Sequence, residues 1–206
     1  MIKKIFTCLT VWLGLSSRKT GDSIKPSLSG GESLIEFAGE ISGQNADVLK
    51  QIQLFVNDQK EYFLKYEDDL YQRGVESIDE LTREIVLIDA LMAKNKIVYV
   101  DHKYEGDLAL DELDQLSNGE LSAVSCFHEL KEKYKAHIGH NTIGYFMHSD
   151  TLAPMPYECI ESAGYFLAQI NEDSDSYPLI LVQQDKRNQL TELAKNAEIN
   201  LQFFER

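Results

Sequence analysis

The chain has 206 residues, of which 43% are hydrophobic and 26% are charged. This length and composition are typical of a soluble, folded protein with one ordinary domain, and they argue against intrinsic disorder and against a polytopic membrane protein. The formal net charge of −14 disfavours nucleic-acid binding, because such binding depends on Lys and Arg displacing the counterions of phosphates.

The charge is distributed unevenly along the chain. Residues 1–19 contain four basic side chains and no acidic one, whereas residues 20–206 contain 16 basic and 34 acidic side chains. Such a surface attracts cations and basic proteins, although a high negative charge also serves solubility alone. We therefore expect a basic protein as the partner and no nucleic acid.

The three cysteines are an odd number at wide spacing, and they include no CxxC pair. This pattern predicts free thiols in a reducing compartment, and hence a location in the cytoplasm. Cys126 and Cys159 lie among apolar residues, so they are predicted to be packed rather than reactive. Cys8 is the third cysteine.

Residues 1–19 form a basic and apolar N-terminal segment. Its apolar run of eleven residues begins at Ile5 and is too short for a bilayer, which needs roughly 20 residues. The length fits a secretory signal peptide, but no clear small-x-small cleavage site follows. Three interpretations of this segment remain: a helix in which residues 2–15 contact the inner face of the membrane, a helix that lies against the domain, and a frayed tail. Export with cleavage near residues 16–20 is a further alternative. Residues 20–44 are predicted to be a linker, which begins in a stretch rich in Ser, Gly and Lys.

Residues 45–206 are predicted to form a single α+β domain whose first half is helical. Asn45 is the predicted cap of one helix, and the next is predicted to end at Gly74. Ser77 and Glu80 have the spacing of a capping box, so a third helix is predicted to begin there. In each predicted helix the apolar residues recur along one face.

Four runs of β-branched, aromatic or alternating apolar residues predict strands. The middle two flank the turn-rich segment 171–178 and therefore predict a hairpin. Helices capped by Asp107 and Asp185, and another over residues 122–135, are predicted between the strands. The fold is predicted to be α+β with two layers, in which the helical N-terminal half packs mainly on one face of a small four-stranded sheet. The predicted strands are residues 96–101, 165–170, 179–182 and 199–203.

Two short motifs resemble those of a known family. One is VDHK at residues 100–103, and the other is DSDSYP at residues 173–178. They are similar to a D-W-K-like strand end and a G-S-D-S-Y-like hairpin in a family of uncharacterised bacterial proteins catalogued as a domain of unknown function. The resemblance covers about residues 45–204, with His102 where an aromatic residue is expected and an acidic pair where a glycine is usual. It implies a fold and a bacterial origin, and it supplies no activity or catalytic residue.

The best candidate binding site joins the hairpin loop to the end of the first predicted strand, because loops at strand ends commonly carry function. Local turn hydrogen bonds explain the same Asp and Ser residues without a ligand. The loop also lacks the glycine and the closing glutamate of an EF-hand, so no metal or cofactor is assigned to it. The candidate residues are His102, Lys103, Asp173, Asp175 and Tyr177.

The leading hypothesis is a non-enzymatic binding or interaction module, and the alternative is a metal-assisted hydrolase. Four histidines within residues 128–148 and three aspartates within residues 107–114 have types and spacings that metal sites use. A solvated helix face explains the aspartates equally simply, and no HExxH, P-loop or GxSxG motif is present. These residues are His128, His137, His140 and His148, and Asp107, Asp111 and Asp114.

Overall fold

The computed structural model describes residues 29–103, 106–136, 142 and 155–205, so the N-terminal segment 1–19 lies outside the described part. None of the described helices is long and apolar enough to cross a membrane. The helices are α1 (Gly30–Ser42), α2 (Ala46–Asn57), α3 (Gln59–Lys65), α4 (Glu67–Gln72), α5 (Arg83–Met92), α6 (Gly106–Leu116), α7 (Ser125–Ala136), α8 (Pro156–Ser162) and α9 (Arg187–Asn196). The strands are β1 (Val98–Asp101), β2 (Tyr165–Ile170), β3 (Ser176–Gln183) and β4 (Leu201–Phe203).

The four strands form one antiparallel sheet in the order β1-β3-β2-β4. Strands β2 and β3 are joined by a short loop, which confirms the predicted hairpin. Strand β1 pairs with the other edge of β3, so that Asp101 lies opposite Ser176. The end of β1 and the β2–β3 loop therefore lie at the same end of the sheet.

Helices cover both faces of this sheet. Ile180 and Val182 of β3 face a first core that is built with helices α1 to α5 and α9. Leu179 of the same strand faces a second core, built with α6, α7 and α8. The α+β class and the helical N-terminal half are confirmed. The sequence predicts two layers, with helices mainly on one face of the sheet. In the structure helices cover the second face as well, because the strands are apolar on both faces.

Helix α1 lies inside the range 20–44 that the sequence predicts to be a linker. Its start is a capping box, in which the Ser29 N–H donates to Glu32 Oε2 at 2.9 Å and the Glu32 N–H donates to Ser29 Oγ at 3.3 Å. Its apolar face is buried in the first core, where Phe37 is 0% exposed. The linker prediction is wrong for this helix, because a stretch rich in Ser and Gly conceals an amphipathic pattern.

Helix α5 begins later than the sequence predicts. The Ile85 N–H donates to Thr82 Oγ1 at 3.2 Å, so Thr82 is the cap. Ser77 and Glu80 do form a capping box, but it opens only a short 3-10 turn. The prediction that this box begins the helix is wrong, because Thr82 offers a second cap five residues further along the chain.

Two other predicted caps also shift. Asp107 lies in the first turn of α6, which begins at Gly106. Asp185 lies in a 3-10 turn, and α9 begins after it without a side-chain cap. Asp is favourable in the first turn as well as at the cap, because its negative charge interacts with the helix dipole in both places. Its presence therefore marks the beginning of a helix only to within a residue or two.

Candidate functional site

The structure brings the predicted strand end and the predicted loop together. The His102 N–H donates to the Asp175 carbonyl oxygen at 3.1 Å, which joins the end of β1 to the hairpin loop. Lys103, Asp173 and Asp175 are exposed, whereas Tyr177 is partly buried against the second core. The proximity follows the prediction, and ligand binding by these five residues stays a prediction.

The hairpin loop is ordered by its own side chains. The Asp173 N–H donates to Asn171 Oδ1 at 2.9 Å, and the Ser176 N–H donates to Ser174 Oγ at 3.2 Å. Asp173 adopts a left-handed backbone with a φ of 58°, a conformation that Asp tolerates better than most residues. These hydrogen bonds use the side chains of Asn171 and Ser174, whereas Asp173 contributes only its backbone N–H.

Two aspartates of the hydrolase hypothesis have structural partners. Asp111 of α6 forms an ion pair with Lys131 of α7, and Asp114 Oδ1 accepts the Ser122 N–H at 2.9 Å. His128 is exposed on α7. In the described part of the chain, no group of three or more His, Cys, Asp or Glu residues could hold a metal ion. The other histidines of the hypothesis, His137, His140 and His148, lie outside the described residues.

A different polar cluster, which the sequence did not predict, crosses from the helices to the sheet. It consists of Arg73 at the end of α4, Asp89 on α5, Tyr99 on β1 and Glu172 after β2. The Arg73 guanidinium forms ion pairs with both Asp89 and Glu172. We call these four residues the Arg73 cluster.

Glu172 is the most enclosed member of the Arg73 cluster, with a side chain that is 5% exposed. Its Oε1 accepts hydrogen bonds from the Tyr99 hydroxyl at 2.6 Å and the Ser174 hydroxyl at 3.2 Å, while its Oε2 faces Arg73. The Arg73 guanidinium also lies over the Tyr99 ring, 5.2 Å from its centroid. Buried charges are tolerated when they are paired and hydrogen-bonded in this way.

The surroundings of the Arg73 cluster raise the pKa of three of its members, Asp89, Arg73 and Tyr99. Burial raises the pKa of Asp89, the charges of Glu172 and Asp69 raise it further, and Arg73 opposes the change. Burial acts to lower the pKa of Arg73, but Asp89 and Glu172 outweigh it and raise the pKa above its usual value. Burial and the hydrogen bond to Glu172 raise the pKa of Tyr99. Arg73 thus remains a cation between two carboxyl groups.

Two cavities of ≈ 440 Å³ and ≈ 500 Å³ flank the Arg73 cluster, and both are lined by Gln72, Arg73 and Met92. We call the two cavities together the Arg73 groove. The first is also lined by Ile85, Tyr99, Glu172 and Ser174. The second is also lined by Gln51, Tyr62, Tyr66, Asp69, Asp89 and Ala93.

The local sequence explains how two helices form this groove. Helix α4 ends at Gln72, and Gly74 has a φ of 78°, a conformation that costs glycine little, so the chain turns and leaves Arg73 at the rim. On α5, Asp89 and Met92 follow Ile85 at intervals of four and seven residues and share the outward strip of the helix. The C-terminal end of α4 and the outward strip of α5 thus form the rim of the groove.

The lining of the Arg73 groove suits a cation. It contains three carboxylates, Asp69, Asp89 and Glu172, and one guanidinium. The Tyr62 and Tyr66 rings lie 4.7 Å apart between centroids, and the Lys65 ammonium is 5.2 Å from the centroid of Tyr66. Aromatic faces attract cations, as the contact of Lys65 with Tyr66 shows, while Tyr62 is 0% exposed and offers no free face.

A third cavity of ≈ 330 Å³ lies beside β3, between the end of α1 and the end of α6. Its ion pair joins Lys186 Nζ to Glu40 Oε2 at 2.9 Å, and Lys96 is also on its lining. This lining holds two ammonium groups and one carboxylate and lacks the shared network of the Arg73 cluster. The Arg73 groove is therefore the stronger candidate site.

One member of the Arg73 cluster had a signal in the sequence. Asp89 is flanked by apolar residues on both sides within an amphipathic helix, and an acid at such a position is seldom buried without a partner. Its partner Arg73 had no comparable signal. Glu172 was visible as a loop acid, but its contact with Arg73 joins residues 99 positions apart.

The family model of a domain of unknown function, DUF6630, matches residues 33–204. The chain belongs to the DUF6630 family. This finding confirms the resemblance to a family of unknown function, while the motifs and the bacterial origin stay predictions. Comparison with curated proteins and with solved structures found no match. All four segments of the Arg73 cluster fall inside the matched range, so the groove is part of the DUF6630 domain itself.

Proposed function

We propose that this DUF6630 domain is a binding module that receives a basic segment of a partner protein in the Arg73 groove. The observation that carries the proposal is the composition of the groove, whose lining holds three carboxylates, three tyrosines and one guanidinium. Carboxylates supply the charge that a lysine or arginine needs, and the aromatic rings supply a surface for its aliphatic stem.

The surroundings of the groove extend the same electrostatic field. Residues 58–89 carry ten acidic and four basic side chains. Four of these acids, Asp68, Asp69, Glu76 and Asp79, are exposed and take part in no ion pair with another described residue. Such a surface accelerates the approach of a basic partner before any specific contact forms.

The arrangement of the groove indicates where the cationic head would bind. Asp69 is exposed at the rim, whereas Asp89 is already held by Arg73. A cation near Asp69 would lie beside the Tyr66 ring, with its stem along Met92, which is 41% exposed. Arg73 then has a positioning role, since it keeps Asp89 and Glu172 in place without neutralising the whole lining.

Binding of a lysine- and arginine-rich peptide, followed by fluorescence anisotropy, tests the proposal. We expect Asp69→Asn to weaken binding about two- to fivefold, which corresponds to one exposed ion pair. We also expect the affinity to fall when the salt concentration rises, because exposed charges are screened. Asp185→Asn is the matched control, since Asp185 is also exposed and lies in the turn before α9.

If Asp69→Asn and Asp185→Asn weaken binding equally, the peptide responds only to net charge and the groove is not its site. If the peptide does not bind even at low salt, the proposal of a basic partner is wrong. A scrambled peptide of the same charge separates binding in the groove from binding to a diffuse acidic surface. A groove with tyrosines discriminates between peptide sequences, whereas a diffuse acidic surface does not.

We propose further that the protein acts in a bacterial cytoplasm, with residues 2–15 in contact with the inner face of the membrane. The two lysines at positions 3 and 4 beside an apolar run support this interpretation. Sedimentation with vesicles that contain anionic phospholipid tests it, with a variant carrying Lys3→Glu and Lys4→Glu as the comparison. Equal sedimentation of the two proteins would remove the membrane contact from the proposal. The acidic domain leads us to expect no nucleic-acid partner.

A further inference from the structure

An unpaired edge of strand β3 lies in the third cavity. Strand β1 pairs with residues 176–179 of β3, whereas β2 pairs with residues 179–183 on the other side. Beyond Leu179, the β1 side of β3 has no partner strand within the described part of the chain. Residues 180–183 all line the cavity of ≈ 330 Å³. Neighbouring residues of a strand face opposite sides of a sheet, so a cavity that all four line lies at the sheet edge. We call this cavity the β3 edge groove.

The direction of the β3 backbone groups follows from the hydrogen bonds at the ends of the strand. The His102 N–H, just after β1, donates to the Asp175 carbonyl oxygen, and the N–H that follows β3 donates to the carbonyl that precedes β2. In antiparallel strands, successive residues direct their N–H and C=O groups alternately to the two neighbours. The odd-numbered residues of β3 therefore face the β1 side. Leu181 and Gln183 thus direct their backbone groups into the β3 edge groove, where a strand can pair with them.

The β3 edge groove carries a positive charge, in contrast to the chain as a whole. Its lining has two ammonium groups, Lys96 and Lys186, and one carboxylate, Glu40. Lys186 Nζ pairs with Glu40 Oε2 at 2.9 Å. Lys96 is partly buried and forms no ion pair with another described residue. A partly desolvated charge is costly without a counter-charge, so an incoming carboxylate would be stabilised here.

The two walls of the β3 edge groove differ in chemistry. Helices α1 and α9 form the wall on the side of the first core, where the Glu40–Lys186 pair lies. Leu116 and Tyr165, which pack against the second core, form the opposite wall. The side chains of an added strand would alternate between these two walls. A segment with acidic side chains toward Lys186 and apolar side chains toward Leu116 therefore matches both.

We propose that the β3 edge groove binds an extended segment of a partner protein, in which acidic and apolar residues alternate, as an added strand antiparallel to β3. Residues 180–183 extend about 13 Å, which is room for about four paired residues. Main-chain hydrogen bonds at the edge supply affinity, and the two walls select the side chains. The inference goes beyond the proposed function, because the groove and the charge of its ligand both differ from those of the Arg73 groove.

Fluorescence anisotropy of the full chain with a short labelled peptide, in which glutamate and valine alternate, tests the proposal. When the glutamates face Lys186, the valines lie opposite Leu181 and Gln183 and donate their N–H groups to them. Methylation of the valine amides should therefore weaken binding about tenfold or more, and methylation of the glutamate amides should have little effect. The two methylated peptides have the same charge. Equal or reversed affinities would overturn the proposal, as would failure of the unmodified peptide to bind.

Variants of the protein test the charge of the groove. We expect Lys96→Gln to weaken binding of the unmodified peptide about three- to tenfold, because the lysine is partly buried. Lys50→Gln is the control, since Lys50 is exposed on α2 and does not line the groove. Equal losses would mean that the peptide responds only to net charge, which would overturn the proposal. Asp69→Asn should change the affinity less than about twofold, so this proposal and that of the Arg73 groove fail separately.

Amide hydrogen exchange of the full chain, followed by NMR, tests the edge itself. In the free protein, we expect the Leu181 and Gln183 amides to exchange faster than those of Ile180 and Val182, which pair with β2. Saturation with the unmodified peptide should slow the exchange of Leu181 and Gln183 and leave that of Ile180 and Val182 unchanged. Equal protection of all four amides in the free protein would overturn the proposal, because the edge would already be covered.

Discussion

The two helical layers of this domain place their ionic groups differently. On the first face, the Arg73 cluster joins α4, α5, β1 and the hairpin loop, so that its charges bridge helices and sheet. On the second face, the pair Asp111–Lys131 joins two neighbouring helices at a more exposed place. Charges that bridge layers are partly desolvated, which makes them expensive to disturb and leaves a groove beside them. The more exposed pair Asp111–Lys131 is less costly to disturb.

The largest expected effect comes from removing Arg73. In Arg73→Ala, Asp89 and Glu172 would face each other without a cation, and we expect a loss of about 2–4 kcal/mol in the free energy of unfolding. Lys131→Ala is the control on the second face, and its expected cost is below about 1 kcal/mol because Asp111 is 44% exposed. Urea unfolding of the two variants measures the difference. Equal costs would abolish the distinction between the two layers.

The free energy of unfolding of the same variant, Arg73→Ala, is expected to depend on pH, and the pKa of Asp89 fixes the sign. The pKa of Asp89 is raised in the folded state, so protonation favours the folded form as the pH falls from that raised value toward the ordinary 3.8. Without Arg73 this effect grows. We therefore expect Arg73→Ala to recover about 1 kcal/mol of its deficit between pH 7 and pH 4.5, at about 1.4 kcal/mol for each unit of pKa.

Unfolding of Arg73→Ala and the natural protein at both pH values measures this recovery. Lys131→Ala provides the comparison, because Asp111 is far more exposed and its deficit should change little. A constant deficit for Arg73→Ala across this range would mean that Asp89 is not the group left unpaired.

These contacts show where sequence reasoning succeeds and where it stops. Alternation and turn chemistry act over a few residues, so the sequence predicts the hairpin and places β2 at its observed bounds, 165–170. Strand β3 begins at Ser176, inside the segment 171–178 that the sequence predicts to be a turn. The start of α5 was missed by several residues because two acceptable caps lie close together. The Arg73–Glu172 pair could not be predicted, since it depends on how a helix end and a hairpin loop meet across 99 positions of chain.

A smaller effect is expected from removing one hydrogen bond of the Arg73 cluster. Tyr99→Phe deletes the hydroxyl that donates to Glu172 at 2.6 Å, and we expect a loss of about 1–2 kcal/mol because the acceptor is enclosed. Tyr165→Phe is the matched change on the second face, where the hydroxyl donates to the exposed Glu120. Its expected cost is below about 0.5 kcal/mol, because water replaces the lost donor. Thermal unfolding compares the two, and a larger loss in Tyr165→Phe would reverse the ranking of the layers.

The smallest expected effect concerns Asp69, and its sign is opposite to the others. The charge of Asp69 raises the pKa of Asp89, which means that the two carboxylates repel each other. Asp69→Asn removes this repulsion without deleting any described ion pair, so we expect the free energy of unfolding at pH 7 to rise by about 0.2–0.5 kcal/mol. The variant would then bind a basic peptide less well while being at least as stable as the natural protein. That combination separates a binding residue from a structural one, because a residue that acted only through the fold would lose stability and affinity together.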